Sequence, residues 1–305
     1  MSEAKDRSGP WLLLGITIFW GLNFVTIKTS VEEVPIWAFR SICLLTGGLG
    51  LLGIGKLAGF SLRVPKAEWC PLVIAALGNI TFWHIFSAWA LTYLPAGRAT
   101  ILAYTMPLFA AVISVVWLKQ KVTGLIVAAL ATGIVGLGIL VLPDWQNIVA
   151  RPVGVIMILI AAASWAFGTV ALKRYRFTIP TTALAGWQML VGGIPIFIGW
   201  ALIDRGFDPA PVSMKAWIAV AYSAIVPMIF CHWAWFRIVA IYPAAIAAIG
   251  TLGIPVVSVI AAAVLKHEPI GVSEILSLGL VLAAMALVLV VPALKNRAAV
   301  LPEPE

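Results

Sequence analysis

Ten apolar stretches, each long enough to cross a hydrocarbon core as a helix, dominate this chain. They run over roughly 11–29, 36–56, 70–92, 98–118, 124–142, 154–174, 181–203, 216–240, 244–265 and 272–292, with ends placed to within ~2–4 residues. With 62% hydrophobic and 10% charged residues, no aqueous core of this length could hide the apolar surface. Backbone groups in lipid must be paired within the protein, and the stretches are continuous rather than alternating. A barrel is therefore excluded. The expected fold is all-α and membrane-integral, with the lipid bilayer as its main partner. The first stretch is too long for a cleaved signal peptide and lacks a small-residue cleavage site, so it is expected to remain as a span.

The sequence is also written twice. Trp20 and Lys28 recur as Trp165 and Lys173, and Gly47-Gly48 as Gly192-Gly193, at a shift of 145. Phe82-x-His84, Pro95 and Pro107 recur as Phe230-x-His232, Pro243 and Pro255 at 148, and Leu118-Lys119 as Leu265-Lys266 at 147. Each copy holds five spans, residues 11–142 and 154–292, joined by a polar linker at 143–153 with Pro143 and Pro152 near its ends. A tail follows at 293–305. An odd number of spans makes the second copy enter from the opposite side, so ten transmembrane helices are expected as two inverted five-helix repeats.

Net charge is +8, but the basic residues are scattered over short loops, which argues against nucleic acid. With the N-terminus in the cytoplasm, Lys5, Arg7, Lys56, Arg63, Lys66, Lys119, Lys121, Lys173, Arg174, Arg176, Arg237, Lys295 and Arg297 lie inside. Lys28, Arg98, Arg151, Arg205, Lys215 and Lys266 lie outside. Thirteen against six places both termini in the cytoplasm. Cys43, Cys70 and Cys231 are isolated and read as structural.

The repeated motifs are Phe19-Trp20-Gly21-Leu22-Asn23, Ala90-Leu91-Thr92-Tyr93-Leu94-Pro95-Ala96 and Met106-Pro107-Leu108 in the first copy. In the second they are Ser164-Trp165-Ala166, Ile241-Tyr242-Pro243-Ala244, Ile254-Pro255-Val256 and Leu265-Lys266-His267-Glu268-Pro269. In these the chain resembles the drug/metabolite transporter superfamily, specifically its EamA-type exporters, over nearly its whole length. Within that family it is most similar to the YddG-type exporters of aromatic and other amino acids. The resemblance implies a secondary transporter of a bacterial inner membrane, exporting amino acids or similar small metabolites. One departure stands out: the acidic residue that closes the fourth helix of each copy in the family is Glu268 here, but Lys121 in the first copy.

All twelve acidic residues fall in tails, loops or helix ends, so no membrane carboxylate for a proton or sodium ion is evident. An acidic metal pair, a Ser-His-Asp set and a phosphate loop are likewise missing. The expectation is no enzyme, no cofactor and no bound metal. No obligate protein partner is evident either.

His84 and His232 sit at equivalent midspan positions. Thr81, His84, Ser87 and Ala88 share one helical face, as do Met228, His232 and Trp235. Two readings stand side by side: a duplicated hydrogen-bonded histidine, or a lining residue of the substrate path that binds a carboxylate or titrates.

Trp20, Asn23 and Phe24 share a face of the first span, and Trp165 and Thr169 of the sixth, with Gly21 and Gly168 allowing close approach. Trp20, Trp83, Trp165, Trp187, Trp233 and Trp235 lie deep. They either pack, or wall a path that attracts ammonium groups through cation–π contact, with Asn23 and Gln188 reading polar groups. Trp11, Trp37, Trp69, Trp117, Trp145 and Trp217 lie at span ends, where tryptophans anchor at the interface.

Arg40, opposite Ala185 in the repeat, either snorkels to the interface or binds a carboxylate. Pro107 and Pro255 each fall in mid-helix and are expected to act as a hinge pair, with the hairpins at Pro95 and Pro243 closing opposite mouths. The functional reading is export by alternating access. Its alternatives are a proton-coupled exporter of cationic drugs and a membrane-embedded transferase.

Overall fold

A computed structural model of the chain describes residues 9–144, 152–175, 177–241 and 244–287. The linker from Trp145 to Arg151, the Tyr242-Pro243 turn and the tail lie outside the described residues, as do Lys5, Arg7 and Arg176. Within them the chain is all-helical. In chain order the helices are α1 (Gly9–Val31), α2 (Ile36–Leu57), α3 (Lys66–Tyr93), α4 (Ala96–Trp117), α5 (Gly124–Val141), α6 (Val153–Arg174) and α7 (Thr181–Leu202). Then come α8 (Met214–Ile225, continued by Val226–Cys231 and His232–Ile241), α9 (Ala244–Lys266) and α10 (Val272–Met285). Among the described residues, eight helices are long and apolar enough to cross a membrane, and Leu252–Lys266 and Val272–Met285 are shorter apolar helices.

The helix starts follow local chemistry. Pro35, Pro95 and Pro180 each precede a helix in extended conformation, where the missing N–H costs nothing. Thr123 and Ser213 cap α5 and α8 through their side-chain oxygens, which accept from Ile126 N and Ala216 N.

α4 and α9 stop in the same way. Lys119 and His267 adopt left-handed φ values of 53° and 55°. Gln120 N then reaches back to Ser114 O, and Glu268 N to Ala262 O, both at 3.3 Å. This matched termination keeps the repeat at a shift of 148 and corrects the register drawn from Leu118-Lys119. The counterpart of Glu268 is Gln120, not Lys121. Lys119 and Lys121, which flank Gln120 in the first copy, hide the one-residue difference.

Helices of the two halves interdigitate: α1 packs on α9, α2 on α7, α3 on α6 and α5 on α10. The closest crossing joins α3 to α6. A Cβ added at Gly78 would lie 2.7 Å from both Gly168 N and Ser164 O, so the two backbones touch directly. Beside it, Thr81 Oγ1 donates to Gly192 O of α7 at 2.5 Å, and Asn79 Nδ2 donates to Gln188 Oε1 at 3.3 Å.

The bundle has two polar ends. At one, Ser213 N and Oγ both donate to Glu33 at 2.7 Å, Ala38 N donates to Asp204 at 3.1 Å, and Lys266 meets Glu32 at 2.6 Å. At the other, Thr178 N and Oγ1 donate to Glu68 at 3.1 and 2.6 Å, and Trp187 Nε1 donates to Leu62 O at 2.8 Å.

The hinge prolines are not structural equals. α4 is interrupted at Tyr104-Thr105, and Pro107 is the second residue of the segment that restarts at Met106. Pro255 lies inside an unbroken α9. The break in the first copy therefore precedes its proline, and of this pair only Pro255 lies in mid-helix.

Gly78→Val should destabilise the protein by about 1–3 kcal/mol through overpacking. Gly53→Val, where an added Cβ meets nothing within 4 Å, should leave the thermal midpoint in detergent unchanged. The bonds from Ser213 N and Oγ hold the Glu33 carboxyl below its usual range. Its stabilisation is therefore present above the unfolded-state pKa and lost as pH falls through the depressed one, so Glu33→Gln should flatten the acid limb of a stability–pH curve.

Candidate functional site

α3 and α8 each widen into a π-type turn immediately before the midspan histidine region, at Leu77–Phe82 and Val226–Cys231. Such a turn inserts a residue and frees a backbone carbonyl. In α8 the freed group is Pro227 O, which accepts from His232 Nδ1 at 2.8 Å. A carbonyl only accepts, so Nδ1 carries the proton, and in the neutral ring Nε2 is left as an acceptor.

Trp20 of α1 meets the His232 ring edge-on, with centroids 5.7 Å apart, and Trp235 at 6.2 Å. Across the bundle, Trp83 of α3 packs on Trp165 of α6 at 5.2 Å. Trp20, Asn23, Trp83, Trp165, Thr169, His232 and Trp235 are all half-buried or partly exposed. Their neighbours are closed off. Phe24, Thr81, His84 and Gln188 are buried, and the hydrogen bonds of Thr81 and Gln188 tie α3 to α7.

The two histidines therefore differ in kind. His84 is 2% exposed and its Nδ1 has no partner, whereas His232 has a fixed Nδ1 bond and retains open surface.

Arg40 does not snorkel. It is 1% exposed, with Nε donating to His84 O at 2.8 Å and Nη2 to Ser87 Oγ at 3.0 Å. Among the described residues no carboxylate pairs with it. A guanidinium fixed by α3 inside the protein is a standing positive field. The arrangement combines aromatic faces, one neutral acceptor nitrogen and that field, which together suit a small zwitterion with an apolar side chain.

Sequence reasoning singled out Trp20, Asn23, Trp165, Thr169, His232 and Trp235, and the structure leaves them partly open at midspan. It offered Trp83 only as one of six deep tryptophans that pack or wall a path, did not place Asn79 at the crossing, and missed the Pro227 carbonyl. Pro227 gives no signal for its own carbonyl, because a proline's missing N–H affects the carbonyl four residues earlier, Ser223 O.

The chain is 27% identical to "Uncharacterized transporter YvbV" of Bacillus subtilis, covering 94% of this chain and 93% of that protein. It is 28% identical to "Uncharacterized inner membrane transporter YedA" of Escherichia coli K12, covering 90% and 89%. It is 26% identical to "Probable amino-acid metabolite efflux pump" of the same organism, covering 86% and 88%. A solved structure titled "Crystal structure of protein" shares the fold with a TM-score of 0.66 at 20% identity, over 96% of this chain and 99% of that one. The model of the EamA-like transporter family matches residues 7–142 and again 152–290. Two copies of one membrane-transporter module account for nearly the whole chain, and the protein belongs to the EamA-like transporter family.

Proposed function

We propose that this chain is a secondary transporter that exports amino acids, aromatic and other apolar, or similar small metabolites by alternating access. In this reading ten spans form two inverted five-helix halves, with both termini in the cytoplasm of a bacterial cell and the protein in the inner membrane. The observation that carries it is the set of partly open aromatics at midspan, drawn from α1 and α8 on one side and α3 and α6 on the other. Helices that pair across the repeat axis thus supply the two walls. Supporting the substrate class is the relative named as a probable amino-acid metabolite efflux pump.

Within this proposal Trp20, Trp83, Trp165 and Trp235 receive the side chain, and His232 Nε2 accepts from the ammonium group. Arg40 contributes through its field rather than by direct ligation, since two of its donors are bound to α3. The interruption at Tyr104-Thr105 and the Pro255 region of α9 provide the bending points. The buried acids Glu68 and Glu274 lie at the ends of the bundle, where they are hydrogen-bonded. Movement down the substrate gradient is therefore favoured over proton exchange.

Counterflow in proteoliposomes, with labelled amino acids and lipophilic cations and with or without a pH gradient, tests the reading. Saturable exchange of apolar amino acids is expected; exchange of cations alone would transfer the protein to the drug-exporter class. His232→Asn keeps a donor for Pro227 O and removes Nε2, so it should keep thermal stability while losing ~10-fold in exchange. Trp20→Ala should shift preference away from aromatic substrates by about three- to tenfold.

A further inference from the structure

The Pro95 turn, which the sequence repeats at Pro243, is fastened by a charge on each side. At the Pro95 hairpin, Lys28 Nζ donates to Leu91 O at 2.7 Å, in the last turn of α3, and to Leu94 O at 3.1 Å, just past its end. On the other side of the turn, Glu268 accepts from Ala96 N at 2.6 Å and Gly97 N at 2.9 Å, the first amides of α4. Each charge sits where the helix dipole favours it, and the carboxylate makes two charge-assisted bonds to groups that have no intrahelical partner. Two further ion pairs flank the clasp: Lys266 with Glu32 at 2.6 Å, and Arg98 with Glu274 at 2.8 Å.

The matched ends of α4 and α9 show what stands opposite. At a shift of 148, Ala96 and Gly97 correspond to Ala244 and Ala245, and Glu268 corresponds to Gln120. The lysine is kept, since Lys28 corresponds to Lys173. The carboxylate is not. Gln120 is exposed, carries no charge and offers one acceptor oxygen instead of two.

We propose that Glu268 is the gating carboxylate of this protein, latching the Pro95 hairpin shut, and that the neutral Gln120 at the opposite end makes closure at the Pro95 end the resting state. The proposal rests on the alternating-access reading above. A recess of ≈ 250 Å³ lined by Pro95, Gly97, Arg98, Glu268 and Glu274 brings solvent to the latch. For that end to open, the carboxylate must release both amides before α4 can part from α9. Directly behind it, Ser258 of α9 and Thr100 of α4 share a hydrogen bond of 2.7 Å, and both are fully buried.

Ser258→Cys is therefore a reporter of opening, in a background where Cys43, Cys70 and Cys231 are replaced by alanine. The rate of maleimide labelling should rise ~10-fold with Glu268→Gln. It should also rise with Gln120→Glu, because a latch added at the opposite end favours opening at this one. Glu33→Gln, a carboxylate at the same end that holds Ser213 rather than the hairpin, should leave the rate unchanged. Unchanged labelling in Gln120→Glu and Glu268→Gln overturns the proposal, as does an equal rise in Glu33→Gln. If Glu268→Gln does not fold, Gln120→Glu alone decides. Labelling needs no transport, so latch-dependent labelling without any flux would count against the transport reading and leave the latch standing.

Discussion

The crossing of α3 over α6 at Gly78 and Gly168 sets the geometry of everything at midspan. Lipid is as apolar as the helix faces it surrounds, so burial alone does not choose which faces meet. Direct backbone contact does, and here an added Cβ would have no room. The crossing places Asn79 against Gly168 and within reach of Gln188, and it brings Trp83 onto Trp165. One turn on, His84 is aligned with Arg40 of α2. Removing the close contact would displace the wall of the proposed path as well as loosen the bundle.

The two copies share a skeleton and differ in chemistry. Both have a π-type turn ahead of a midspan histidine, yet only His232 bonds the freed carbonyl, while His84 is buried beneath Arg40. Trp20 meets His232, whereas its counterpart Trp165 meets Trp83, a residue that the second copy replaces with Cys231. Inverted halves with identical side chains would make two equivalent faces. The substitutions at Arg40, Trp83 and Glu268 make one face chemically distinct from the other.

The helices were legible because hydropathy reports the solvent directly, and the observed α1, α2, α4 and α7 start and stop within a few residues of the apolar runs. The paired tryptophans and histidines were legible through duplication. Other features were hidden for physical reasons. A π-type turn and an α-turn carry the same apolar pattern, so Leu77–Phe82 gives no signal. Thr81 and Gln188 looked like path-lining polar groups, but a sequence does not show which hydroxyl or amide another helix will claim. The Gln120–Glu268 correspondence needed the left-handed residues at Lys119 and His267, which are conformations and not residue types.

The proposed alternating access requires motion at the Pro95 end, and this is the claim on which the functional account depends. A Cβ at Gly97 would lie 3.6 Å from Ala262 Cβ, within the span of about 3.5–4.5 Å that a disulfide needs. Exchange of a labelled apolar amino acid through the Gly97→Cys/Ala262→Cys double variant is therefore the most direct measurement. The account predicts that oxidation stops exchange and reduction restores it, with each single variant unaffected by oxidant. Undiminished exchange with the disulfide formed would contradict it.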